Sequence, residues 1–305
     1  MRRRIWSETL PHAAVTTREV CTLLRDHRLE VALAVRPSDV DTLARTVAIL
    51  ADAGIATSLW PMVDDRDGRW VHRGSLRHHE ALVAAISQEI PKCHRGELVL
   101  DHEPYFPLVH ALCAPSPSIT ALAGSFREQV RRDREHDVAR AEEMYNAWVL
   151  ALEADQFSVG GALAPTVLAG RGARRSPLGL RALVVERMEK TAGLLPPAGS
   201  GRQSTMLYRS LAEGWSRGLI KPSSWPKILE EASRRALHRF GANADISLGL
   251  VGPGALETEP TYADETAFAE DLSILKKVGI ASFTLFDLGG LLRRGAAKRW
   301  LSVLE

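Results

Sequence analysis

Short apolar runs alternate with helical patterns along almost the whole chain. Eight runs rich in β-branched or aliphatic residues are separated by stretches with the three-to-four-residue periodicity of amphipathic helices. The predicted strands are 5–10, 29–35, 56–63, 97–103, 156–164, 205–211, 245–251 and 281–288. The predicted helices are about 17–26, 39–53, 76–88, 125–154, 178–191, 223–240, 264–278 and 296–304. Such alternation predicts an α/β fold, a single (β/α)8 TIM barrel that occupies residues 1–305 as one domain.

The composition supports a folded chain and argues against a nucleic-acid binder. Hydrophobic residues make up 45% of the 305 positions, which is enough to form a large core. The 39 Lys and Arg residues are balanced by 37 Asp and Glu residues, so the net charge is only +2. Binding to phosphate backbones needs clustered positive charge, so we expect no nucleic-acid partner. The basic residues Arg2 to Arg4 are predicted to be solvated surface.

The cysteines and the hydropathy pattern bear on the cellular compartment. Cys21, Cys93 and Cys113 are an odd number without CxxC spacing, so no disulfide framework is indicated. The basic N-terminus is followed by a polar segment at 6–9 rather than by an apolar signal sequence, and no run of 18 apolar residues occurs. We therefore expect a cytoplasmic protein that does not enter a membrane; the sequence leaves its oligomeric state open.

Two acidic residues lie at the end of the fourth predicted strand. The apolar segment 98–100 runs into Asp101, His102 and Glu103, and Pro104 ends the strand. Side chains alternate across a strand, so Asp101 and Glu103 are predicted to lie on one side. Neighbouring carboxylates are costly to ionise together, so one can keep a proton near neutral pH and act as a general acid. Alternatively, both are polar strand-end residues that pair with nearby arginines.

Other candidate site residues lie at or just after the remaining strand ends. Functional side chains of a (β/α)8 barrel come from these ends, where tryptophan rings can stack on a pyranose and polar groups can bind its hydroxyls. The alternative for each is a core or turn role, such as a tyrosine packed in the core or an Asp run that forms a turn. These candidates are Trp6, Glu8, Trp60, Asp64, Asp65, Tyr208, Glu257 and Asp287.

Two short motifs resemble those of a known family. Asp101-His102-Glu103 at the end of the fourth strand and Met206-Leu207-Tyr208 on the sixth resemble the DxE and MxY elements of the family-18, chitinase-like glycoside hydrolases. The resemblance implies that Glu103 protonates the glycosidic oxygen and that Asp101 orients the substrate N-acetyl group, which serves as the nucleophile. It also implies that Tyr208 helps to hold that group. The expected reaction is acid-catalysed, substrate-assisted cleavage of a glycosidic bond, with no cofactor.

The chain also departs from the family pattern. Gly96 and Val99 stand where the family's longer motif is acidic, Arg209 follows the tyrosine in place of an acidic or amide residue, and Phe286 replaces the usual tryptophan of the last strand. The resemblance covers about a dozen positions of the chain.

Two other classes of barrel stay open at this point. A metal-dependent enzyme of the xylose-isomerase type could use the strand-end carboxylates together with His72 or His102 as ligands. No HxH or HExxH spacing favours that alternative. A barrel that binds a carbohydrate without cleaving it is the third class.

Overall fold

Eight parallel strands close into a barrel, which confirms the predicted (β/α)8 TIM-barrel fold. The computed structural model describes residues 1–113, 120, 124–125, 127–128, 131, 138–169, 193–215, 221–254, 259–295 and 297–305. Each strand pairs in parallel with the next, and the last strand pairs with the first. The strands are β1 (Arg2–Ser7), β2 (Glu30–Val35), β3 (Thr57–Pro61), β4 (Glu97–His102), β5 (Ser158–Leu163), β6 (Gln203–Met206), β7 (Ala244–Gly249) and β8 (Ser282–Phe286).

Helices follow the strands around the outside of the barrel. The described helices are α1 (His12–Val15), α2 (Arg18–Asp26), α3 (Val40–Asp52), α4 (Leu76–Glu89), α5 (Phe106–Cys113), α6 (Val138–Ala154), α7 (Arg209–Trp215), α8 (Trp225–Phe240), α9 (Glu265–Val278), α10 (Leu288–Arg293) and α11 (Ala297–Ser302). The predicted helix 178–191 lies outside the described residues. Over the part of the chain that is described, no helix is long and apolar enough to cross a membrane.

Two strands are displaced from their predicted positions. β1 begins at Arg2 and ends at Ser7, three residues earlier than predicted. The prediction that Arg2 to Arg4 are solvated is wrong for Arg4, which is completely buried. β6 ends at Met206 rather than at 211, and α7 begins at Arg209, so Tyr208 lies in the short connection between them.

Side chains alternate between two separate apolar cores. On β1, Ile5 belongs to the large core between the strands and the surrounding helices, whereas Trp6 belongs to a smaller core with Trp60 and Phe286. The strand period of two explains this division, because successive side chains point to opposite faces of the sheet. The smaller core lies inside the barrel, toward the C-terminal ends of the strands.

Charged side chains fill the barrel interior toward the N-terminal ends of the strands. We call Arg4, Glu97, Arg202 and Asp245 the basal charge layer. Arg4 on β1 reaches across the barrel to Glu97 on β4, with Nη1 and Oε2 2.6 Å apart. Arg202, just before β6, contacts the same carboxylate oxygen at 2.5 Å. Gly160 on β5 leaves room for the layer, since a Cβ there would lie 2.9 Å from Oε1 of Glu97.

Hydrogen bonds complete the basal charge layer. Asp245 on β7 accepts hydrogen bonds from Ser204 and Ser282, both at 2.5 Å, and from Thr284 at 2.7 Å. Burial alone would raise the pKa of Glu97, but the charges of Arg4 and Arg202 lower that pKa to about 2. Glu97 is therefore ionised at neutral pH, and the two arginines compensate its charge.

We expect Glu97→Gln to lower the free energy of unfolding by about 3–5 kcal/mol, because it leaves the buried Arg4 without its nearest carboxylate. Glu230→Gln provides the control, since Glu230 forms ion pairs with Arg234 and Lys277 at the surface and their loss should destabilise the fold far less. Urea denaturation measures both variants. Equal losses would show that the basal charge layer contributes no more than a surface pair.

Candidate active site

A cavity of about 950 Å3 opens at the C-terminal ends of the strands. Active sites of (β/α)8 enzymes lie at this end. The side chains that line it come from seven of the eight strand ends, or the connections after them, and from α7 and α8. The residues that line the cavity include Trp6, Glu8, Trp60, Trp70, Asp101, Glu103, Ala164, Pro165, Leu168, Tyr208, Leu211, Ala212, Trp225, Ile228, Glu231, Ala232, Arg235, Glu259 and Phe286.

Two tryptophans whose rings contact each other at a tilt form the floor of the cavity. The rings of Trp6 and Trp60 lie with their centroids 4.6 Å apart. The indole Nε1 of Trp6 donates a 2.7 Å hydrogen bond to the Ser247 hydroxyl on β7. That hydroxyl lies 3.1 Å from the Tyr208 hydroxyl. The Trp6–Ser247–Tyr208 chain therefore holds the phenol against the cavity, although Tyr208 does not belong to a strand.

Asp101 and Glu103 meet in this cavity as the strand alternation predicts. Asp101 is the penultimate residue of β4 and is 2% exposed, and Glu103 follows the strand and is half-buried. Burial and the negative charges of Glu8 and Glu259 raise the pKa of Glu103 to about 8. Burial and the charges of Glu103 and Glu8 raise the pKa of Asp101 well above its usual value. At neutral pH Glu103 is therefore mainly protonated.

A fixed arginine balances one of the neighbouring acids. Arg69 contacts Glu8 at 3.0 Å through Nη1 and binds both carboxylate oxygens of Asp65, at 2.7 and 2.9 Å. Its guanidinium carbon also lies 3.9 Å from the centroid of the Phe106 ring. Because Arg69 is held by Glu8 and Asp65, it only partly offsets the repulsion that Asp101 and Glu103 experience.

The structure brings six of the ten predicted site residues to the cavity wall. Asp64 and Asp65 do not line the cavity; Asp64 pairs with Arg66 at 3.5 Å, and Asp65 anchors Arg69. Glu257 lies outside the described residues. The six that do line the cavity are Trp6, Glu8, Trp60, Asp101, Glu103 and Tyr208.

Asp287 is buried behind the cavity rather than on its wall. Its carboxylate caps α10, where Oδ1 accepts a 2.8 Å hydrogen bond from the Gly290 amide. Burial and the charge of Glu8 raise the pKa of Asp287 to about 7. The Asp287 side chain is completely buried, so in the described structure it caps a helix and does not reach the cavity where the predicted substrate contact would lie.

Sequence reasoning missed several residues of the site. Arg69 has a positive φ of 57° after Gly68, and that turn aims it at Glu8; no strand-end pattern marks it. Glu259 follows β7 two positions after the candidate Glu257, so the strand-end rule pointed to the correct connection but to another residue. The apolar stripe of α8, at Trp225, Ile228 and Ala232, was visible as helical spacing, but nothing in the sequence placed it at the cavity.

One of the two histidines offered as metal ligands, His102, is engaged in other hydrogen bonds. Nδ1 of His102 lies 3.2 Å from the Leu195 carbonyl oxygen, and Nε2 lies 3.1 Å from the Tyr145 hydroxyl. Within the described ranges, no group of three or more His, Cys, Asp or Glu side chains is placed to hold a metal ion. The described residues therefore provide no set of metal ligands of the kind that the metal-dependent alternative needs.

Comparisons with known proteins show the class of fold. No model of a known protein family matches the sequence, and no curated protein matches it. The structure is similar to the glycoside hydrolase domain of PgaB (BpsB) from Bordetella bronchiseptica, with a TM-score of 0.55 and 11% identity over 100% of this chain and 99% of that one. This likeness establishes a (β/α)8 barrel and nothing finer.

Weaker similarities extend to other barrel enzymes. An endocellulase from Pyrococcus horikoshii gives a TM-score of 0.48 at 11% identity, over 93% of this chain and 83% of that chain. A D-allulose 3-epimerase from Methylomonas sp. gives 0.46 at 11% identity, over 94% and 85%. At these scores neither similarity decides between activities.

The raised pKa of Glu103 predicts how stability depends on pH. The folded chain binds this proton up to about pH 8, whereas an unfolded chain releases it near pH 4.5, so stability falls as pH rises between these values. Glu103→Gln removes this loss. We expect its melting temperature to match wild type at pH 4.5 and to exceed it at pH 8, because a pKa raised from 4.5 to about 8 lowers the stability of wild type over this range by on the order of 4 kcal/mol.

Differential scanning calorimetry at the two pH values checks this expectation. Glu89→Gln, at an exposed position on α4, is the matched control and should leave the pH dependence unchanged. A Glu103→Gln variant that loses stability with rising pH as steeply as wild type would contradict the raised pKa.

Proposed function

We propose that this chain is a glycoside hydrolase in which Glu103 is the general acid. The observation that carries the proposal is the position of Glu103 and Asp101 together on the wall of a tryptophan-floored cavity. Tryptophan faces suit the apolar face of a pyranose ring, and a protonated carboxyl group beside them suits cleavage of a glycosidic bond. The similarity to a glycoside hydrolase domain adds support at the level of the fold.

Glu103 supplies the proton that the leaving group needs. A general acid works best when its pKa lies near the working pH, and the pKa of Glu103 is about 8. Its proton passes to the glycosidic oxygen as the bond between that oxygen and the anomeric carbon breaks. Glu103 is then ionised and takes a proton from the water that completes hydrolysis.

Asp101 fits the second role that the family-18 resemblance implies. Its Oδ1 is buried and makes no hydrogen bond among the described residues, so it can accept one from a substrate amide. In the substrate-assisted reaction, the oxygen of an N-acetyl group attacks the anomeric carbon while Asp101 holds the amide nitrogen. We therefore propose N-acetylated oligosaccharides as the substrate class, with no cofactor and no nucleic-acid partner.

Tyr208 and the tryptophans position the sugar. The Tyr208 hydroxyl, which contacts the Ser247 hydroxyl, can donate a hydrogen bond to the N-acetyl oxygen and so hold that oxygen beside the anomeric carbon. The Trp6 and Trp60 rings give the pyranose an apolar surface beneath the two carboxyl groups. These groups bind and orient, whereas only Glu103 transfers a proton.

Removal of the acid should abolish turnover without loss of binding. Glu103→Gln keeps the size of the side chain but cannot donate the proton, so we expect kcat on N-acetylated oligosaccharides to fall at least ~10²-fold while affinity changes little. Asp101→Asn should also lower kcat strongly, and Glu89→Gln should not. Mass-spectrometric product analysis with and without chelator is the measurement.

Three outcomes of that experiment count against the proposal. Unchanged hydrolysis by Glu103→Gln would remove the mechanism. Loss of activity with chelator and recovery with a divalent ion would favour the metal-dependent class. Binding of the sugars without cleavage by wild type would favour a carbohydrate-binding barrel.

The pH dependence of the reaction offers a separate check. Because the reactive form of Glu103 is protonated, kcat/KM should fall as pH rises through about 8. Initial rates between pH 3 and 10 on an N-acetylated substrate give this profile. A decline centred near pH 4.5 would mean that Glu103 behaves as an ordinary exposed glutamate and is not the acid.

A further inference from the structure

The cavity has two chemically different halves. One half carries the carboxyl groups of Glu8, Asp101, Glu103 and Glu259, which come from β1, β4 and the connection after β7. The other half extends from the ends of β5 and β6 outward to α8. We call this second half the aliphatic arm. Its apolar lining residues are Ala164, Pro165, Leu168, Leu211, Ala212, Trp225, Ile228 and Ala232, and the charged residues Glu231 and Arg235 of α8 line it beside them.

Side-chain hydrogen-bonding groups are scarce in the aliphatic arm. Trp225 has a single donor, its indole Nε1, and that donor is bonded to Oδ1 of Asp271 at 3.1 Å. Among the described lining residues of the arm, the remaining polar side chains are Glu231 and Arg235, which pair with each other at 2.8 Å on α8. A sugar ring in the arm would therefore lack partners for most of its hydroxyls, which is costly.

Hydrogen bonds also fix the side chains and the turn that form the aliphatic arm. Trp225 is only 3% exposed, and Asp271 that fixes its indole is itself bonded to the Tyr262 hydroxyl at 2.8 Å. The turn that carries Leu168 is tied to α8 by a 2.6 Å hydrogen bond from Arg239 to the Val167 carbonyl oxygen. The apolar surface is thus held in place before any ligand arrives.

Ile228 shows that this surface is left uncovered within the described structure. It is 37% exposed and lines the cavity. Large exposed aliphatic side chains at a concave site favour an apolar ligand, because covering them removes apolar surface from water. The whole cavity, at about 950 Å3, lies near the upper end of the usual range for ligand sites, so it has room for more than one sugar ring.

We propose that the substrate is an amphiphilic glycoside whose apolar group, an alkyl or acyl chain, occupies the aliphatic arm while its sugar lies at Glu103. This inference rests on the proposed function only for the half of the cavity that would bind the sugar. The continuity of the two halves in one cavity is the reason for an attached chain rather than a separate lipid. The chain would set substrate choice, and the carboxyl groups would carry out the cleavage.

Alkyl N-acetylglucosaminides of increasing length provide the probe. We would measure their affinity for the Glu103→Gln chain by calorimetry, with methyl, butyl, hexyl and octyl aglycones below their micelle concentrations. Affinity should rise about 3- to 4-fold for each methylene that enters the arm and then level off. Affinity independent of chain length would overturn the proposal.

Matched substitutions locate the effect. Ala212→Trp on α7 places a bulky ring in the arm and should remove the dependence on chain length, and Ala232→Trp on α8 provides a second variant if the first does not fold. Ala81→Trp, at an exposed position of α4, is the control and should keep the dependence. Equal behaviour of the arm and control variants would contradict the placement of the chain.

Two further comparisons separate this inference from the proposed function. Free alkanols of the same lengths should bind far more weakly than the glycosides; equal affinity would mean a separate lipid ligand and would overturn the attached chain. Wild-type hydrolysis of the same series is measured in parallel. Affinity that depends on chain length, without hydrolysis, would support the aliphatic arm as a binding site and refute the proposed hydrolase activity. Hydrolysis without dependence on chain length would support the hydrolase activity and refute the role of the arm.

Discussion

The ion pair between Arg4 and Glu97 is the interaction on which the rest of the barrel depends. Barrels of this class usually fill the interior with branched aliphatic side chains. Here Arg4 is completely buried and shares Glu97 with Arg202, and Asp245 is held by three hydroxyl groups. A shift of β1 by one residue would turn Arg4 out of the barrel and leave Glu97 with only part of its compensation, so the charges fix the strand register.

The functional end of the barrel is built on top of this layer. The guanidinium carbon of Arg4 lies 5.0 Å from the centroid of the Trp6 ring, so the charge layer directly supports the aromatic floor. Above the floor, Asp101 and Glu103 lie where water is largely replaced by aromatic rings and other carboxylates. Low solvation and like charge both favour the protonated form of Glu103. The proposed acid chemistry is thus a consequence of where β4 ends.

The sequence predicted the barrel and the acid pair because both depend on local patterns. Strand and helix periodicities revealed the alternation, and the period of two placed Asp101 and Glu103 on one side. The sequence could not predict the burial of Arg4, because an arginine-rich segment is normally exposed. Arg4 is buried only because it pairs with Glu97, which lies on a strand distant in the chain. The aliphatic arm depends on a similar long-range placement, because α8 and the turn after β5 are about sixty residues apart in the chain.

The dependence of the reaction on the leaving group reveals whether Glu103 is the acid. A general acid matters when the leaving group is a sugar alcohol and matters little when it is a strongly acidic phenol. The kcat/KM of wild type and Glu103→Gln should therefore be compared on N-acetylglucosaminides with a sugar and with a dinitrophenyl leaving group. If Glu103 donates the proton, its substitution lowers kcat/KM at least ~10²-fold with the sugar leaving group and only slightly with the phenol. Equal losses with both leaving groups would contradict the role of Glu103 as the acid.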